Sequence, residues 1–196
     1  MIFILASKSP RRIKLLKENG YKFKIIPSNI AEKSDYKRPD LLVKDLAYRK
    51  ALQVAQKYPS SVILAADTIV YCCKKIIGKP KNSDDALRLL RLQSGRWQSV
   101  YTGVALICLK KNIFLCDYEK SRCYMKKMTT ERLKDIASKH LDKAGGWAVQ
   151  DRNDYLITKI KGRYDNIVGL PMNLVNKFFK EFQKLRTDDR INGTVK

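Results

Sequence analysis

The chain has 196 residues, of which 44% are hydrophobic, so it can bury the core of one folded domain and is not a disordered polypeptide. Its longest apolar runs fall far short of the roughly 20 residues that a membrane-spanning helix needs, so we expect no membrane segment and no signal peptide. The formal net charge of +22 would attract polyanions, but the basic residues are dispersed rather than gathered into a nucleic-acid-binding arm.

Strand and helix patterns alternate in the first half of the chain. Ser9 and Pro10 are typical of a helix start, and the apolar spacing from Leu41 to Tyr58 is helical. The predicted strands are residues 2–6, 21–27 and 61–72, and the predicted helices are residues 9–19 and 41–58.

The second half contains a pair of adjacent strand patterns flanked by helices. Strands are predicted at residues 98–110 and 112–125, and helices at residues 83–95, 129–141 and 171–185. A glycine-rich loop, KAGGWAVQ, leads towards a further strand. This mixture predicts an α/β fold with a mixed sheet, as one domain over residues 1–186 followed by a flexible tail at 187–196.

The cysteine and histidine content limits the kinds of redox, metal and catalytic site that the chain can form. Five cysteines without a C-x-x-C pair predict buried thiols in a reducing compartment, by default the cytoplasm. Adjacent Cys72 and Cys73 could form a redox or metal pair, but neighbouring strand residues point to opposite faces, which favours packing. The single histidine, His140, lies among lysines and glycines, and we expect it at the surface.

Two adjacent arginines, Arg11 and Arg12, lie where the first helix is predicted to begin. Free N–H groups at a helix start already attract anions, and two guanidinium groups would add charge and forked donors. The site would suit a polyphosphate. The alternative is a pair of solvated arginines, although cations are mildly unfavourable at this end of a helix.

Asp67 interrupts the most apolar strand pattern, VILAADTIV. A buried carboxylate needs a compensating metal, arginine or lysine, so Asp67 is either a catalytic group or one member of a structural ion pair. Lys50 and Lys79 could each contact a phosphate, and the amide of Gln150 could read a base edge. The Walker P-loop and the G-x-G-x-x-G motif are both absent, which argues against ordinary kinase, GTPase and dinucleotide-binding sites.

Six ordered motifs give the chain a specific resemblance. LASKSPRRIKLL, AADTIV, GKP, SGRWQSVYTGVAL, DKAGGWAVQ and VGLP occur in the order and spacing that resemble the Maf family of nucleoside triphosphate pyrophosphatases. The resemblance implies a twisted mixed sheet with flanking helices and a cleft between two lobes, similar to inosine triphosphate pyrophosphatases. It also implies hydrolysis of a nucleoside triphosphate to a monophosphate and pyrophosphate, with Mg²⁺ or Mn²⁺ as cofactor.

The resemblance also implies roles for individual residues. Asp67 matches the proton acceptor, and Asp67 and Glu32 could hold the divalent metal. The polar cleft residues that match are Ser7, Arg11, Arg12, Glu32, Lys50 and Lys79. Gln98 stands where many members have a histidine. Family members are usually cytoplasmic and often dimeric, so a homodimer is expected.

Three positions divide the family by substrate. Arg12, Thr68 and Gln150 agree with the branch that is similar to dTTP and UTP pyrophosphatases, whereas the branch that prefers 7-methyl-GTP has tryptophan, glutamine and glutamate there. The resemblance therefore implies dTTP and UTP as substrates. The competing class is a non-enzymatic nucleic-acid-binding or cell-division regulatory protein, and the dispersed charge argues against any specific nucleic-acid partner.

Overall fold

The computed structural model describes residues 2–137, 139–141, 143–147 and 156–192, with side chains up to residue 186. Seven strands in these residues form one sheet. They are β1 (Phe3–Leu5), β2 (Phe23–Ile25), β3 (Ile63–Cys72), β4 (Lys75–Ile77), β5 (Trp97–Cys108), β6 (Ile113–Met125) and β7 (Ile157–Lys161).

Helices cover both faces of the sheet. They are α1 (Pro10–Glu18), α2 (Pro39–Lys57), α3 (Ser83–Gln93), α4 (Thr130–Ala137), α5 (Tyr164–Val168) and α6 (Met172–Asn192). Pro10 and Pro39 open α1 and α2 at a position where the missing N–H costs nothing. Helix α6 continues through the first six residues of the predicted tail, and the domain boundary at residue 186 stays a prediction.

The sheet is mixed, as the sequence predicts. Its order is β2-β1-β3-β5-β6-β7, and β4 pairs with β3 outside that path. The pairs β1–β2 and β1–β3 are parallel, whereas the pairs β3–β5, β5–β6 and β6–β7 are antiparallel. The predicted pairing of the two central strands is confirmed, with register from Trp97 opposite Tyr124 to Cys108 opposite Ile113.

A polar layer divides the core on one face of the sheet. Leu64 and Val104 belong to a cluster that packs against α1 and α6, and Val70 and Val100 belong to a second cluster that packs against α3 and α4. Between them on β3 and β5 lie Thr68 and the fully buried Thr102, which face each other in the register. Two hydrophobic lobes therefore meet at a row of hydroxyl groups, as expected for a cleft between lobes.

On the opposite face, α2 lies against β3 and β5 at very short range. A Cβ atom added to Gly103 would come within 2.1 Å of the carbonyl oxygen of Val43 on α2. Because backbone atoms cannot give way cheaply, only glycine permits this approach. Gly103 is opposite Asp67 in the register, so the contact sets the distance between α2 and the strand that carries the acid.

Some parts of the fold differ from the sequence expectations. Strands β4 and β7 and the short α5 were not predicted, and the strand predicted at the end of KAGGWAVQ lies outside the described residues. The surface expectation for His140 is wrong, because the residue is only 7% exposed. The alternating orientation expected of Cys72 and Cys73 is wrong, because β3 ends at Cys72 and Cys73 lies in the following turn, where the two free Sγ atoms are 3.6 Å apart. Among the described residues, no helix combines the length and apolarity that crossing a bilayer requires.

Candidate active site

Arg12 connects three separate parts of the chain. Its Nε donates to the carbonyl oxygen of Gly169 at 2.9 Å, and Nη1 donates to the carbonyl oxygen of Ala66 at 2.8 Å and to Ser7 Oγ at 3.2 Å. Nη2 donates to Thr68 Oγ1 at 3.0 Å. The guanidinium therefore joins the β1–α1 loop, strand β3 and the VGLP segment, and most of its donors are used within the protein.

The electrostatics of Arg12 agree with a role inside the protein. Burial lowers the pKa of Arg12, the negative charge of Asp67 opposes that effect, and the neighbouring charge of Arg11 adds to it. Its partner Ser7 is itself buried. Arg11 lies in the same first turn of α1 and is half-buried.

Two carboxylates and two lysines form a second group. Lys50 Nζ on α2 donates to Asp67 Oδ1 at 2.6 Å and to Glu32 Oε1 at 2.7 Å, and Lys79 Nζ lies 3.2 Å from Glu32 Oε2. The side chains of Lys50 and Asp67 are each only 10% exposed. The buried acid predicted from the sequence is therefore paired, and one ammonium group holds both carboxylates at the same place.

Glu32 is held in its charged form. Partial burial would raise its pKa, but hydrogen bonds and charge from Lys50, and then from Lys79, outweigh burial and lower the pKa from 4.5 to about 2. A cavity of about 1300 Å³ opens beside Glu32, and its other lining residues include Arg49, Tyr71 and Lys74. Glu32 thus lies at the border between the buried ion pair and open solvent.

The donor set fits a magnesium-type cation. Mg²⁺ prefers oxygen ligands and is commonly held by one or two carboxylates together with substrate phosphates and water. Asp67 and Glu32 supply two carboxylates at one ammonium group. The described part of the chain holds no group of three or more His, Cys, Asp or Glu side chains suited to a metal.

The polar layer extends away from Arg12 through buried groups that the sequence analysis did not identify. Thr68 Oγ1 lies 3.0 Å from Thr102 Oγ1, and Thr102 Oγ1 donates to the carbonyl oxygen of Asn166 at 3.2 Å. The Asn166 amide donates to the carbonyl oxygen of Val100 and to Ser121 Oγ. The YTG motif, which contains Thr102, was a sequence signal for this layer. No feature of the sequence pointed to Asn166.

Loops from two predicted motifs meet next to Lys79. The N–H of Gly145 donates to the carbonyl oxygen of Gly78 at 3.0 Å, which joins KAGGW to GKP. Buried Gln93 at the end of α3 donates to the carbonyl oxygen of Gly145 and accepts from Trp147 Nε1, each at 2.8 Å. Gln150, three residues beyond Trp147, lies outside the described residues.

Gln98, which stands in place of the family histidine, is 1% exposed on β5. Neither of its amide atoms has a hydrogen-bond partner in the described part of the chain, and the same is true of Asn166 Oδ1. Gln98 lies on the same buried side of β5 as Val100 and Thr102, so it belongs to the interior of the second lobe. The structure does not bring Gln98 into contact with Asp67 or Arg12.

The sequence-predicted residues therefore fall into two connected groups. One contains Ser7, Arg12 and Thr68, and the other contains Glu32, Lys50, Asp67 and Lys79. Asp67 and Thr68 are adjacent on β3, which joins the groups. The arrangement can hold a polyanion beside an ionised carboxylate whose position is fixed.

Comparison with known proteins gives consistent matches. The sequence model of a family described as "Maf-like protein" matches residues 2–182. A dTTP/UTP pyrophosphatase of Elusimicrobium minutum is 50% identical over 93% of this chain and 99% of that protein. A dTTP/UTP pyrophosphatase of Caldicellulosiruptor bescii is 44% identical over 88% of this chain and 90% of that protein. The solved Staphylococcus aureus Ham1 protein is similar in fold, with a TM-score of 0.50 at 10% identity, over 92% of this chain and 99% of that one.

Proposed function

The chain belongs to the Maf family, and from this premise we propose that it hydrolyses a nucleoside triphosphate to a nucleoside monophosphate and pyrophosphate. The observation that carries the proposal is the buried contact between Lys50 and Asp67, with Glu32 on the same ammonium group. A purely structural ion pair would need one carboxylate. The second carboxylate, half-exposed beside a cavity and next to Lys79, is what a phosphate-binding hydrolase requires.

In this mechanism water is the nucleophile and Asp67 accepts its proton. The water oxygen bonds to the α-phosphorus, the bond from that phosphorus to the bridging oxygen breaks, and pyrophosphate leaves with that oxygen. Lys50 holds Asp67 Oδ1, so Oδ2 is the oxygen that remains for the proton. Arg11 and Lys79 stabilise the negative charge that develops on the leaving pyrophosphate.

We propose Mg²⁺ or Mn²⁺ as the cofactor, held by Asp67 and Glu32. When bound, the cation neutralises phosphate charge and polarises the phosphoryl oxygens. Ser7 and Arg12 have a structural role rather than a phosphate-binding one, because the guanidinium of Arg12 donates hydrogen bonds to Ser7, Thr68 and two carbonyl oxygens. Arg12 shapes the phosphate-binding loop and orients Thr68 rather than binding the phosphate chain itself.

We propose dTTP and UTP as the preferred substrates. The relatives that carry this name support the proposal, and so do Arg12, Thr68 and Gln150. The neutral amide of Gln150 can pair with the O4 and N3–H edge of uracil or thymine, whereas a carboxylate would better suit the positively charged ring of a methylated guanine.

The test is a comparison of kcat/KM for UTP, dTTP, ATP, GTP and 7-methyl-GTP with Mg²⁺ and with Mn²⁺. UTP and dTTP should give the highest values, and Gln150→Glu should reduce that preference while Gln183→Glu, an exposed control on α6, leaves it unchanged. A higher value for ATP or 7-methyl-GTP would contradict the assignment. Absence of any hydrolysis with either metal would favour the non-enzymatic alternative.

We also propose that the protein works in the cytoplasm and assembles as a homodimer. All five cysteines are free of disulfides, which supports a reducing compartment. Sedimentation at several concentrations would test the dimer.

A further inference from the structure

Aromatic side chains form a ladder on one face of the antiparallel part of the sheet, beyond the region that α2 covers. Trp97 is opposite Tyr124 in the β5–β6 register, with ring centroids 5.7 Å apart. Four residues further along β5, Tyr101 stacks on Tyr118 with ring centroids 6.1 Å apart, and Tyr118 is 37% exposed. The alternate residues of β5 point into the core, so these four rings share the outer face.

Four cations are interleaved with these rings. Lys120 Nζ lies 5.3 Å from the Tyr101 ring centroid, and the Arg122 guanidinium and Lys161 Nζ lie 5.2 and 5.4 Å from that of Trp97. Lys159 Nζ lies 6.0 Å from the Tyr124 ring centroid. All four side chains are exposed, and none forms a salt bridge with a described residue. We call these rings and cations the aromatic–basic face.

No acidic residue interrupts this face within the described strands. The β6 positions that point to it are Tyr118, Lys120, Arg122 and Tyr124, and the acids on either side, Asp117 and Glu119, point to α6, where they contact Lys177 and Asn173. Because all charges along the ladder are positive, a second copy of the same face would be repelled. The face is therefore suited to bind a polyanion.

We propose that the aromatic–basic face binds single-stranded nucleic acid without sequence preference. Aromatic rings accept any base by stacking, and lysine or arginine side chains between the rings neutralise the phosphates. Groups that could read a base edge are scarce on the face, since Ser99 is the one polar uncharged residue among its β5 positions from Trp97 to Tyr101. Binding should therefore depend on salt and on strand length rather than on sequence.

This proposal is independent of the proposed hydrolysis. Asp67, Glu32, Lys50 and Lys79 form their own contacts. The ladder adjoins their cavity at one point, where Tyr71 of the cavity wall lies edge-on to Tyr101 with ring centroids 6.4 Å apart. A nucleoside triphosphate in the cleft should leave the face open. An uridine triphosphate analogue that cannot be cleaved between its α- and β-phosphates should therefore not displace a bound oligonucleotide.

The first test distinguishes binding at the aromatic–basic face from attraction by the net positive charge of the protein. Fluorescence anisotropy of labelled 20-nucleotide oligo-dT and oligo-dA is compared for Lys120→Ala/Arg122→Ala/Lys161→Ala and for Lys22→Ala/Lys180→Ala/Lys184→Ala. Both triple variants lose three positive charges from exposed positions. The face variant should bind about ten- to a hundredfold more weakly at 0.1 M salt, with a salt slope reduced by about 2. The control should stay within about threefold, because it removes no phosphate contact.

The second test measures whether nucleic-acid bases stack on Trp97. The chain has two tryptophans, of which Trp97 lies on the face and Trp147 is 4% exposed. Oligo-dT should quench tryptophan fluorescence, and inorganic polyphosphate should compete for binding without quenching. Trp97→Phe should keep the affinity and lose the quenching, and its thermal unfolding midpoint confirms folding.

Three outcomes would overturn the proposal. Equal losses in the two triple variants would show attraction by net charge alone. Identical quenching by polyphosphate and oligo-dT would show that no base stacks on Trp97. Displacement of the oligonucleotide by the uncleavable triphosphate would place it in the cleft. A folded protein that lacks pyrophosphatase activity but passes both tests would refute the proposed function and leave this proposal standing.

Discussion

Replacing Arg12 by lysine should damage the protein far more than the same replacement at Arg11. Lysine keeps the charge but has one nitrogen, whereas the Arg12 guanidinium uses three nitrogens for four hydrogen bonds to Gly169, Ala66, Ser7 and Thr68. An ammonium group has three N–H donors on one nitrogen, so it cannot form all four bonds, and we expect two of them to be lost in Arg12→Lys. Hydrogen bonds to charged groups contribute about 1.5–3 kcal/mol each, so after partial compensation by water we expect a loss of about 2–4 kcal/mol in the free energy of unfolding.

The assay is thermal and urea unfolding of Arg12→Lys and Arg11→Lys, together with kcat/KM for UTP. In a chain of this length 1 kcal/mol corresponds to a shift of about 2–4 °C, so Arg12→Lys should lower Tm by about 5–15 °C. Arg11→Lys should lower the free energy of unfolding by less than Arg12→Lys does, while weakening kcat/KM through poorer phosphate binding. Equal Tm values for Arg12→Lys and the wild type, or a larger loss in Arg11→Lys, would refute the assigned roles.

Three further predictions follow from the contacts around the site. The stability advantage of the wild type over Glu32→Gln should be full above pH 4.5 and shrink as the pH falls towards 2, because the pKa of Glu32 is lowered on folding; a urea-unfolding difference that does not vary with pH would contradict this. Gly103→Ala should cost about 2 kcal/mol or more through its clash with Val43, whereas Gly78→Ala, which meets no atom within 4 Å, should be nearly neutral, and equal melting of the two would be contrary to the structure. Thr102→Val should lose about 1–3 kcal/mol by leaving the carbonyl oxygen of Asn166 without its donor, and Thr102→Ser should recover most of it; failure of serine to rescue would show that the methyl group matters instead.

Elements with a clear hydrophobic period were predictable from the sequence. Helix α2 and strands β3, β5 and β6 have long apolar patterns, and each lies where the pattern indicates. Strand β4 was missed because Cys73 and Lys74 form its turn with positive φ angles of 51° and 59°, and neither residue is typical of such a turn. Strand β7 was missed because four of its five residues are exposed, so no buried face signals it.

The sequence predicted which residues form the site better than it predicted the hydrogen bonds between them. An acid within an apolar strand indicates a buried partner, and the structure supplies Lys50 for Asp67. The direction of the Arg12 side chain was not predictable, because two of its four acceptors are the backbone carbonyl oxygens of residues 66 and 169, which have no sequence signal. Asn166 and Gln93 act through contacts that only the fold creates.

The central claim is tested most directly by the fate of solvent oxygen in the reaction with UTP. In H₂¹⁸O with Mg²⁺ or Mn²⁺, the wild type should release UMP and pyrophosphate in equal amounts, with the label on the UMP phosphate. Asp67→Asn should lower this rate by at least about a hundredfold, since its amide cannot accept the proton, while Lys50 keeps its bond to Glu32 and the fold is retained. Label in pyrophosphate, products of UDP and phosphate, or a folded Asp67→Asn variant with most of its turnover would contradict the account.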